Sequence, residues 1–152
     1  ITLERQLDPD LTVFCFEGEI RQVLANLIGN AIDATAAGGR LAVRLRAARR
    51  WSTSEPGVLI TVADSGIGMT PEVRARIFEP FFTTKEATGT GLGLWVSQEI
   101  VAKHRGQLRV RSRAASSSEP CSGTVFQLFL PDDESLAARN STPAEQVALQ
   151  NS

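Results

Sequence analysis

The sequence predicts an α+β fold in which one mixed and mainly antiparallel sheet has helices packed on one face. Two observations carry this prediction. Apolar residues alternate with polar ones in several short stretches, as they do in strands, and recur at helical spacing in others. Along the chain the order is two strands, a helix, two strands, helices and two strands, and strand runs interrupted in this way favour a single sheet.

Local signals set the bounds of each predicted element. The predicted strands are 1–7, 11–16, 41–45, 58–63, 107–113 and 124–130. The predicted helices are an amphipathic one from Glu17 to about Gly38-Gly39, a short one that begins at Pro71, where proline is favoured, and one from about Gly91 to Lys103. Residues 78–90 show no clear period and are predicted to be a mobile loop, and residues 114–121 a serine-rich hairpin loop.

Size and composition describe an ordinary soluble domain. The 152 residues fit one compact domain, with 42% hydrophobic and 22% charged residues. Because the formal net charge is only -1, no global field favours nucleic acid or an anionic membrane. We expect a domain at residues 1–131, a polar tail or linker at 132–152, no nucleic-acid partner and no direct membrane contact. Cys15, in an apolar run, is expected to be a buried free thiol in a reducing cytosol.

The first predicted helix carries an unusual polar face. Asn26, Asn30 and Asp33 stand at i, i+4 and i+7, nearly opposite the apolar residues. A solvated face is the ordinary explanation, but the stretch 23–36 contains no Lys, Arg or Glu. The alternative is that side-chain oxygens point at a bound partner, and Mg²⁺ prefers oxygen ligands. Both explanations remain open from this feature alone.

A first glycine loop, Asp64-Ser65-Gly66-Ile67-Gly68-Met69, follows a predicted buried strand. It is either a plain turn or a base-binding loop. In the second case Asp64 accepts a hydrogen bond from an adenine amino group, and Gly66 and Gly68 let the backbone approach the base. Guanine presents an oxygen there, and two facing acceptors in a desolvated pocket cost about 1–3 kcal/mol. Such a site would select ATP over GTP.

A second glycine loop, Gly89-Thr90-Gly91-Leu92-Gly93-Leu94, opens a predicted helix, where backbone N–H groups bind anions. Three other phosphate-binding signatures are absent. The loop does not directly follow a strand, as a Rossmann loop does, the chain has no Gly-Lys pair for a Walker loop, and the eukaryotic-type kinase motifs are missing. Before the loop, Phe78, Phe81 and Phe82 suggest an aromatic-hinged lid. Lys85 is either a phosphate contact or an ordinary exposed lysine.

Five motifs in this order resemble the catalytic ATP-binding domain of bacterial sensor histidine kinases, and most closely its nitrogen-regulation branch. They cover about residues 1–131. The motifs that match the N, G1, F, G2 and G3 boxes of that family are Asn26-Leu27-Ile28-Gly29-Asn30-Ala31, Asp64-Ser65-Gly66-Ile67-Gly68, Phe78-Glu79-Pro80-Phe81-Phe82, Gly89-Thr90-Gly91-Leu92-Gly93-Leu94 and Gly123-Thr124-Val125-Phe126.

The resemblance implies a two-layer sandwich of the Bergerat type and a site for ATP and Mg²⁺. It assigns Asn30 to the magnesium ion, Asn26 to the phosphate and metal region, Asp64 to adenine and Thr124 to the vicinity of the base. Asn30 and Lys85 are the expected catalytic residues. The remaining expected nucleotide contacts are Asp33, Gly66, Gly68, Phe82, Thr83, Thr84, Gly89, Thr90, Gly91, Leu92, Gly93 and Leu94.

The resemblance also implies what the chain does with ATP. Related ATPases carry a glutamate base where this chain has Asn26, and an asparagine cannot accept a proton at neutral pH, so phosphotransfer is favoured over hydrolysis. The only histidine, His104, matches a non-acceptor position. We therefore expect a monomeric piece of a homodimeric cytoplasmic or membrane-anchored kinase. Its expected partners are a histidine-bearing dimerisation domain and a downstream response regulator.

Two rival functions remain open at this point. One is an anti-sigma-type serine kinase or regulatory binding module of the same superfamily, against which the fuller F box and the Thr83-Thr84-Lys85 segment argue. The other is a pseudokinase that uses ATP only as a conformational ligand, although no motif is visibly damaged. The stripe of Arg109, Arg111 and Arg113 is expected to be a solvated sheet face that binds no DNA.

Overall fold

The computed structural model describes residues 1–50, 52–85, 89–115 and 121–133. Its five strands form one sheet in the order β1-β2-β3-β5-β4. β1 pairs with β2 in parallel and every other pair is antiparallel, which confirms the predicted mixed and mainly antiparallel sheet. The strands are β1 Thr2–Leu7, β2 Arg40–Arg49, β3 Pro56–Asp64, β4 Gln107–Arg113 and β5 Gly123–Pro131, and the helices are α1 Glu17–Ala34, α2 Pro71–Arg76 and α3 Gly93–Lys103.

The hydrophobic core lies between the helices and one face of the sheet. Val23 and Leu27 of α1 pack in one cluster with Val101 of α3 and with Val62 and Leu128 of the two central strands. Each of these side chains is almost completely buried, and full burial of an aliphatic side chain stabilises a fold by about 1.5–3 kcal/mol. These contacts place the helices on one face of the sheet, as predicted.

The predicted strand at 11–16 is wrong. This segment forms no strand, although Leu11, Val13 and Cys15 pack against the core on alternate positions. β1 already pairs with the outer edge of β2, so the segment 11–16 has no strand to pair with there and runs towards α1. It is held at its end, where the Phe16 N–H donates to Nε2 of the buried His104 over 3.0 Å. The alternating apolar residues of this segment therefore indicate contact with the core and not strand pairing.

The first helix ends earlier than expected, at Ala34 and not near Gly38-Gly39. Thr35 is extended, and its hydroxyl turns back to donate to the Ala31 carbonyl over 2.6 Å. Gly38 then makes the turn into β2 with φ +83°. The predicted short helix at Pro71 is confirmed, with the Thr70 hydroxyl accepting from the Val73 N–H over 3.3 Å.

Several expectations fall partly or wholly outside the described residues: the centre of the loop at 78–90, most of the hairpin at 114–121, and the tail from residue 134. Within the described residues, no helix combines the length and the apolar character needed to cross a membrane. Arg109, Arg111 and Arg113 are exposed, and they alternate with Leu108 and Val110, which pack against the core. Cys15 is partly buried, less than expected, and the pKa of its thiol is raised by burial and then by Glu17.

Candidate functional site

A cavity of about 860 Å³ opens on the helical side of the sheet, between α1, the ends of β3 and β5, and the two glycine loops. It brings together most of the predicted nucleotide contacts. Those that line it are Asn30, Asp33, Asp64, Gly68, Phe82, Thr83, Thr84, Lys85, Gly89, Thr90, Gly91, Gly93, Leu94 and Thr124. A hollow of about 130 Å³ on the opposite face, beside Phe129, involves none of them.

Three predicted contacts, Asn26, Gly66 and Leu92, do not line the cavity, and several lining residues were not predicted. These additional residues are Ala31, Ala34, Ile67, Met69, Val73, Ile77 and Phe126. All seven are apolar. Ala31, Ile67 and Phe126 stand inside the five motifs quoted above without having been assigned to the ligand, and no pattern in the sequence indicates that the others would line a cavity. They supply the apolar wall that a flat aromatic base requires.

Asp64 lies at the end of β3, is partly buried, and lines the cavity. Its Oδ1 accepts hydrogen bonds from the Gly66 N–H over 2.8 Å and from the Thr124 N–H over 3.3 Å. Desolvation by burial raises the pKa of this carboxyl, and the two backbone hydrogen bonds oppose that rise. In the described part of the chain no hydrogen bond reaches Oδ2. The Oδ1 bonds therefore orient the carboxylate while Oδ2 is left for a donor on a ligand.

The first glycine loop, residues 64–69, is anchored to three neighbouring segments. The Ile67 N–H donates to the Ala34 carbonyl over 3.1 Å, and the Met69 N–H donates to the Ser112 hydroxyl over 2.8 Å. The Ser122 hydroxyl donates to the Gly66 carbonyl over 2.7 Å. Gly68 has φ +68°, and a Cβ there would stand 1.8 Å from the Arg113 carbonyl oxygen. The loop tolerates no side chain at this position.

Elsewhere in the cavity, the Lys85 ammonium contacts two oxygens of α1. Its Nζ lies 3.0 Å from Asn30 Oδ1 and 2.6 Å from Asp33 Oδ2. The backbone N–H of Lys85 donates to the Thr83 hydroxyl over 3.0 Å, which fixes the chain just before the residues left undescribed. The polar face of α1 is thus occupied, at Asn30 and Asp33, by a cationic partner.

The Asn26 side chain is hydrogen-bonded to α3. Its Nδ2 donates to the Gly93 carbonyl and to the Ser97 hydroxyl, both over 3.1 Å, and the Ser97 hydroxyl donates to the same Gly93 carbonyl over 2.8 Å. Ser97 is fully buried. With both amide hydrogens engaged, the carboxamide has one orientation, and it ties α1 to the first turn of α3.

The second glycine loop, residues 89–94, leads directly into α3. Gly91 has φ +67° and accepts a hydrogen bond from the Phe81 N–H over 3.0 Å, and a Cβ on Gly91 would lie 2.4 Å from the Phe81 backbone. The N-cap residue Leu92 makes no side-chain cap, so the first N–H groups of α3 are open to an anion. Phe78 and Phe82 pack against the core, whereas Phe81 is 75% exposed.

The cavity has an apolar wall, a carboxylate, a helix N-terminus and a lysine. These are the features of a nucleotide-binding domain. Comparison with known proteins identifies the family. The family model described as "Histidine kinase-, DNA gyrase B-, and HSP90-like ATPase" matches residues 16–134, and the chain belongs to this family of ATP-binding domains.

The relatives found by sequence are sensor kinases. The chain is 40% identical to Sporulation kinase E of Bacillus subtilis (strain 168) over 119 residues, covering 78% of the chain and 14% of that protein. It is 38% identical to the signal transduction histidine-protein kinase AtoS of Escherichia coli (strain K12) over 127 residues, covering 83% and 19%. To the sensor histidine kinase ZraS of Salmonella typhimurium it is 40% identical over 131 residues, covering 86% and 24%. The chain thus spans a quarter or less of each.

Solved structures show the same likeness. A mycobacterial sensor histidine kinase, MprB, matches with a TM-score of 0.69 and 30% identity, covering 86% of this chain and 80% of that one. The catalytic domain of histidine kinase ThkA matches with a TM-score of 0.69 and 31% identity, covering 89% and 81%. These matches confirm the α+β sandwich and the resemblance that the five motifs indicated.

Proposed function

We propose that this chain is the catalytic domain of a two-component sensor histidine kinase, which binds Mg-ATP and donates the γ-phosphate to a histidine on a dimerisation domain. One observation carries the proposal: the Asp64 carboxylate beside the first glycine loop and the Asn30–Lys85 pair on α1 line one cavity of about 860 Å³. The adenine base needs a hydrogen-bond acceptor, and the triphosphate needs positive charge. We also propose that residues 1–131 form this domain and that 132–152 are a tail or linker.

Recognition of adenine would depend on Asp64. Because Oδ1 is occupied by the Gly66 and Thr124 N–H groups, Oδ2 is the oxygen that accepts from the adenine amino group. Met69 and Phe126 line the same end of the cavity and give the base an apolar surface. The partial burial that raises the pKa of Asp64 also strengthens such a hydrogen bond, since little water competes for the acceptor.

The phosphates would lie between the start of α3 and Lys85. The open N–H groups at the α3 N-terminus and the Lys85 ammonium offer charge-assisted hydrogen bonds to phosphate oxygens. The residues present also fit a magnesium ion, because Asn30 Oδ1 and Asp33 Oδ2 already hold a cationic ammonium between them. When bound, the metal ion neutralises phosphate charge at this end of the cavity.

The arrangement favours transfer over hydrolysis. Among the described residues that line the cavity, the carboxylates are Asp33, which is paired with Lys85, and Asp64 at the base end. Asp64 is at the base end, and Asp33 would be neutralised by a cation in either state, by Lys85 as seen here or by the metal ion when it is bound, so neither is a free base beside the phosphates. Asn26 has both amide hydrogens bound to α3 and cannot take a proton from water. An incoming nucleophile must therefore attack without first being deprotonated by this domain, as the unprotonated nitrogen of a neutral imidazole can.

His104 does not serve as that nucleophile. Its ring is 1% exposed, Nε2 accepts the Phe16 N–H over 3.0 Å, and Nδ1 donates to the Ile100 carbonyl over 2.8 Å. Both ring nitrogens are engaged. We propose that the acceptor histidine lies on a dimerisation domain of a homodimeric parent kinase, that a response regulator is the next partner, and that the kinase acts in the cytoplasm.

Calorimetric titration of a non-hydrolysable ATP analogue, with and without Mg²⁺, tests nucleotide binding. Wild type should bind saturably and more tightly with Mg²⁺. Asp64→Asn should weaken binding by about 1–3 kcal/mol, or roughly 5- to 150-fold, because an amide cannot offer both acceptors. Asp10→Asn, at an exposed turn far from the cavity, is the matched control and should bind as wild type does. Absence of saturable binding by wild type under every condition would refute the proposal.

Transfer of labelled γ-phosphate to a separately supplied dimerisation domain tests the kinase step. A histidine kinase yields an acid-labile phosphoramidate on the acceptor histidine. An acid-stable phosphoserine on a folded partner protein would instead identify the serine-kinase alternative, and binding without any transfer would identify a pseudokinase.

A further inference from the structure

Lys85 occupies the oxygen pair of α1 that a metal ion would need. It reaches across from a segment 55 residues further along the chain and lies against Asn30 Oδ1 at 3.0 Å and Asp33 Oδ2 at 2.6 Å. The two oxygens stand one helical turn apart on the same face of α1. An ammonium held by a carboxamide oxygen and a carboxylate marks a place where this fold stabilises positive charge.

We propose that the Lys85 ammonium is the internal counter-cation of the Asn30–Asp33 oxygen pair, and that Lys85 must leave this pair when a divalent cation binds there. The inference rests on the proposed function, because the divalent cation is the one that accompanies ATP. It adds that Lys85 has two positions. Without ligand the ammonium neutralises α1, and with ligand it is released to neutralise phosphate.

The argument for exclusion starts from Asn30, which has a single carboxamide oxygen. A divalent ion of the magnesium type sits about 2.0–2.1 Å from such an oxygen, whereas the ammonium nitrogen stands 3.0 Å from it. The carboxamide oxygen has two lone pairs, but two cations held on it would stand a few ångströms apart, where like charges repel. Each cation therefore lowers the affinity of the site for the other.

Charge within the cavity points the same way. Among the described residues that line it, Lys85 is the one cationic side chain, against the two carboxylates Asp33 and Asp64. Removing the ammonium leaves the phosphate end with an uncompensated carboxylate. A divalent cation should then bind more tightly in the absence of nucleotide, even though nucleotide itself should bind less well.

These opposite signs define the experiment, which compares wild type with Lys85→Met and Lys103→Met. The first variant removes the ammonium from the cavity and keeps the length of the side chain. Lys103 is the matched control, because it also pairs with an acidic residue, Glu19, but lies at the far end of α3, outside the cavity. Mn²⁺, a paramagnetic substitute for Mg²⁺, is titrated without nucleotide and followed by electron paramagnetic resonance. A non-hydrolysable ATP analogue is then titrated by calorimetry.

We expect Lys85→Met to bind Mn²⁺ about 2- to 5-fold more tightly than wild type, the range that exposed ion pairs support. The same variant should bind the ATP analogue about tenfold or more weakly, because a charge-assisted contact to phosphate is lost. Lys103→Met should match wild type in both titrations. If Lys85→Met proves unstable to heating, Lys85→Gln replaces it under the same criteria.

The outcomes separate the two proposals. If wild type binds the ATP analogue, and Lys85→Met binds Mn²⁺ no more tightly than wild type does or fails to bind it, the exchange is overturned and the proposed function stands. If wild type does not bind the ATP analogue, the proposed function is overturned. Tighter Mn²⁺ binding by both lysine variants would also overturn the exchange, since it would report only a change in net charge.

Discussion

The two glycine loops that flank the cavity differ in how much of each loop is fixed by hydrogen bonds. The first, at 64–69, is hydrogen-bonded to α1, to β4 and to Ser122. The second, at 89–94, is held firmly by its described contacts only where it enters α3, because the Gly93 carbonyl accepts hydrogen bonds from Asn26 and Ser97. Before that point its described bonds are one from the Phe81 N–H to the Gly91 carbonyl and a long 3.4 Å contact from the Leu92 N–H to the Thr90 hydroxyl. The first loop is therefore fixed along its length, whereas the start of the second loop is held by few contacts.

This difference explains how one cavity can be selective and still exchange its ligand. A preformed base pocket costs little ordering when adenine enters, so its few polar contacts contribute fully to selectivity. At the phosphate end the polar groups are either open, as at the start of α3, or paired with each other, as in the Lys85 contacts. The charges of a bound ligand would replace those contacts, so part of the binding free energy offsets their loss.

The largest effect is expected at Gly68 in the first loop. Gly68→Ala places a Cβ 1.8 Å from the Arg113 carbonyl and forces a left-handed residue at φ +68°. We expect a loss of about 3 kcal/mol or more in the free energy of unfolding, measured by urea denaturation. Gly38→Ala is the control, because it has φ +83° but nothing within 4 Å of a Cβ, and it should lose only about 1 kcal/mol. Equal losses would show that the first loop is not sterically fixed.

A smaller effect is expected at Ser97, which links the start of α3 to α1. Ser97→Ala removes the acceptor of one Asn26 amide hydrogen in a fully buried place. The free energy of unfolding should fall by about 1–2 kcal/mol. Nucleotide affinity should fall as well, because Gly93, which lines the cavity at the start of α3, loses the hydrogen bond from the Ser97 hydroxyl. Ser52→Ala, at an exposed turn, should change neither quantity. Unaltered stability in Ser97→Ala would mean that the second loop does not depend on this link.

The smallest effect on stability is expected at Thr83, before the second loop. Its exposed hydroxyl accepts only the Lys85 N–H among its described contacts. Thr83→Ala should change the free energy of unfolding by less than about 0.5 kcal/mol. A loss comparable to that of Gly68→Ala would contradict the contrast between the two loops.

Much of the fold was predictable because alternation and helical spacing report which face of an element is buried. Five strands and three helices at the predicted places confirm this. The segment 11–16 shows the limit, since its alternating side chains meet the core while its backbone has no strand to pair with. Pattern alone does not distinguish the two cases.

The candidate site was predictable where chemistry needs unusual residues, such as glycines in loops and a carboxylate at a strand end. The apolar wall was not, because Ile77 and Phe126 look like any core positions. Nor does the sequence show that Asn26 faces α3 or that Lys85 meets Asn30, 55 residues away. Such contacts between distant residues are set by the packing of whole elements and not by local spacing.

The hydrogen bond from the Phe16 N–H to His104 has a mechanical consequence. It joins the beginning of α1 to the end of α3, and the Asn26 contacts join the middle of α1 to the beginning of α3. At 1.5 Å per residue these two fastenings lie roughly 15 Å apart along each helix. Contacts at two separate points resist both sliding and rotation of one helix against the other. A displacement at the start of α3 is therefore resisted as far away as the beginning of α1.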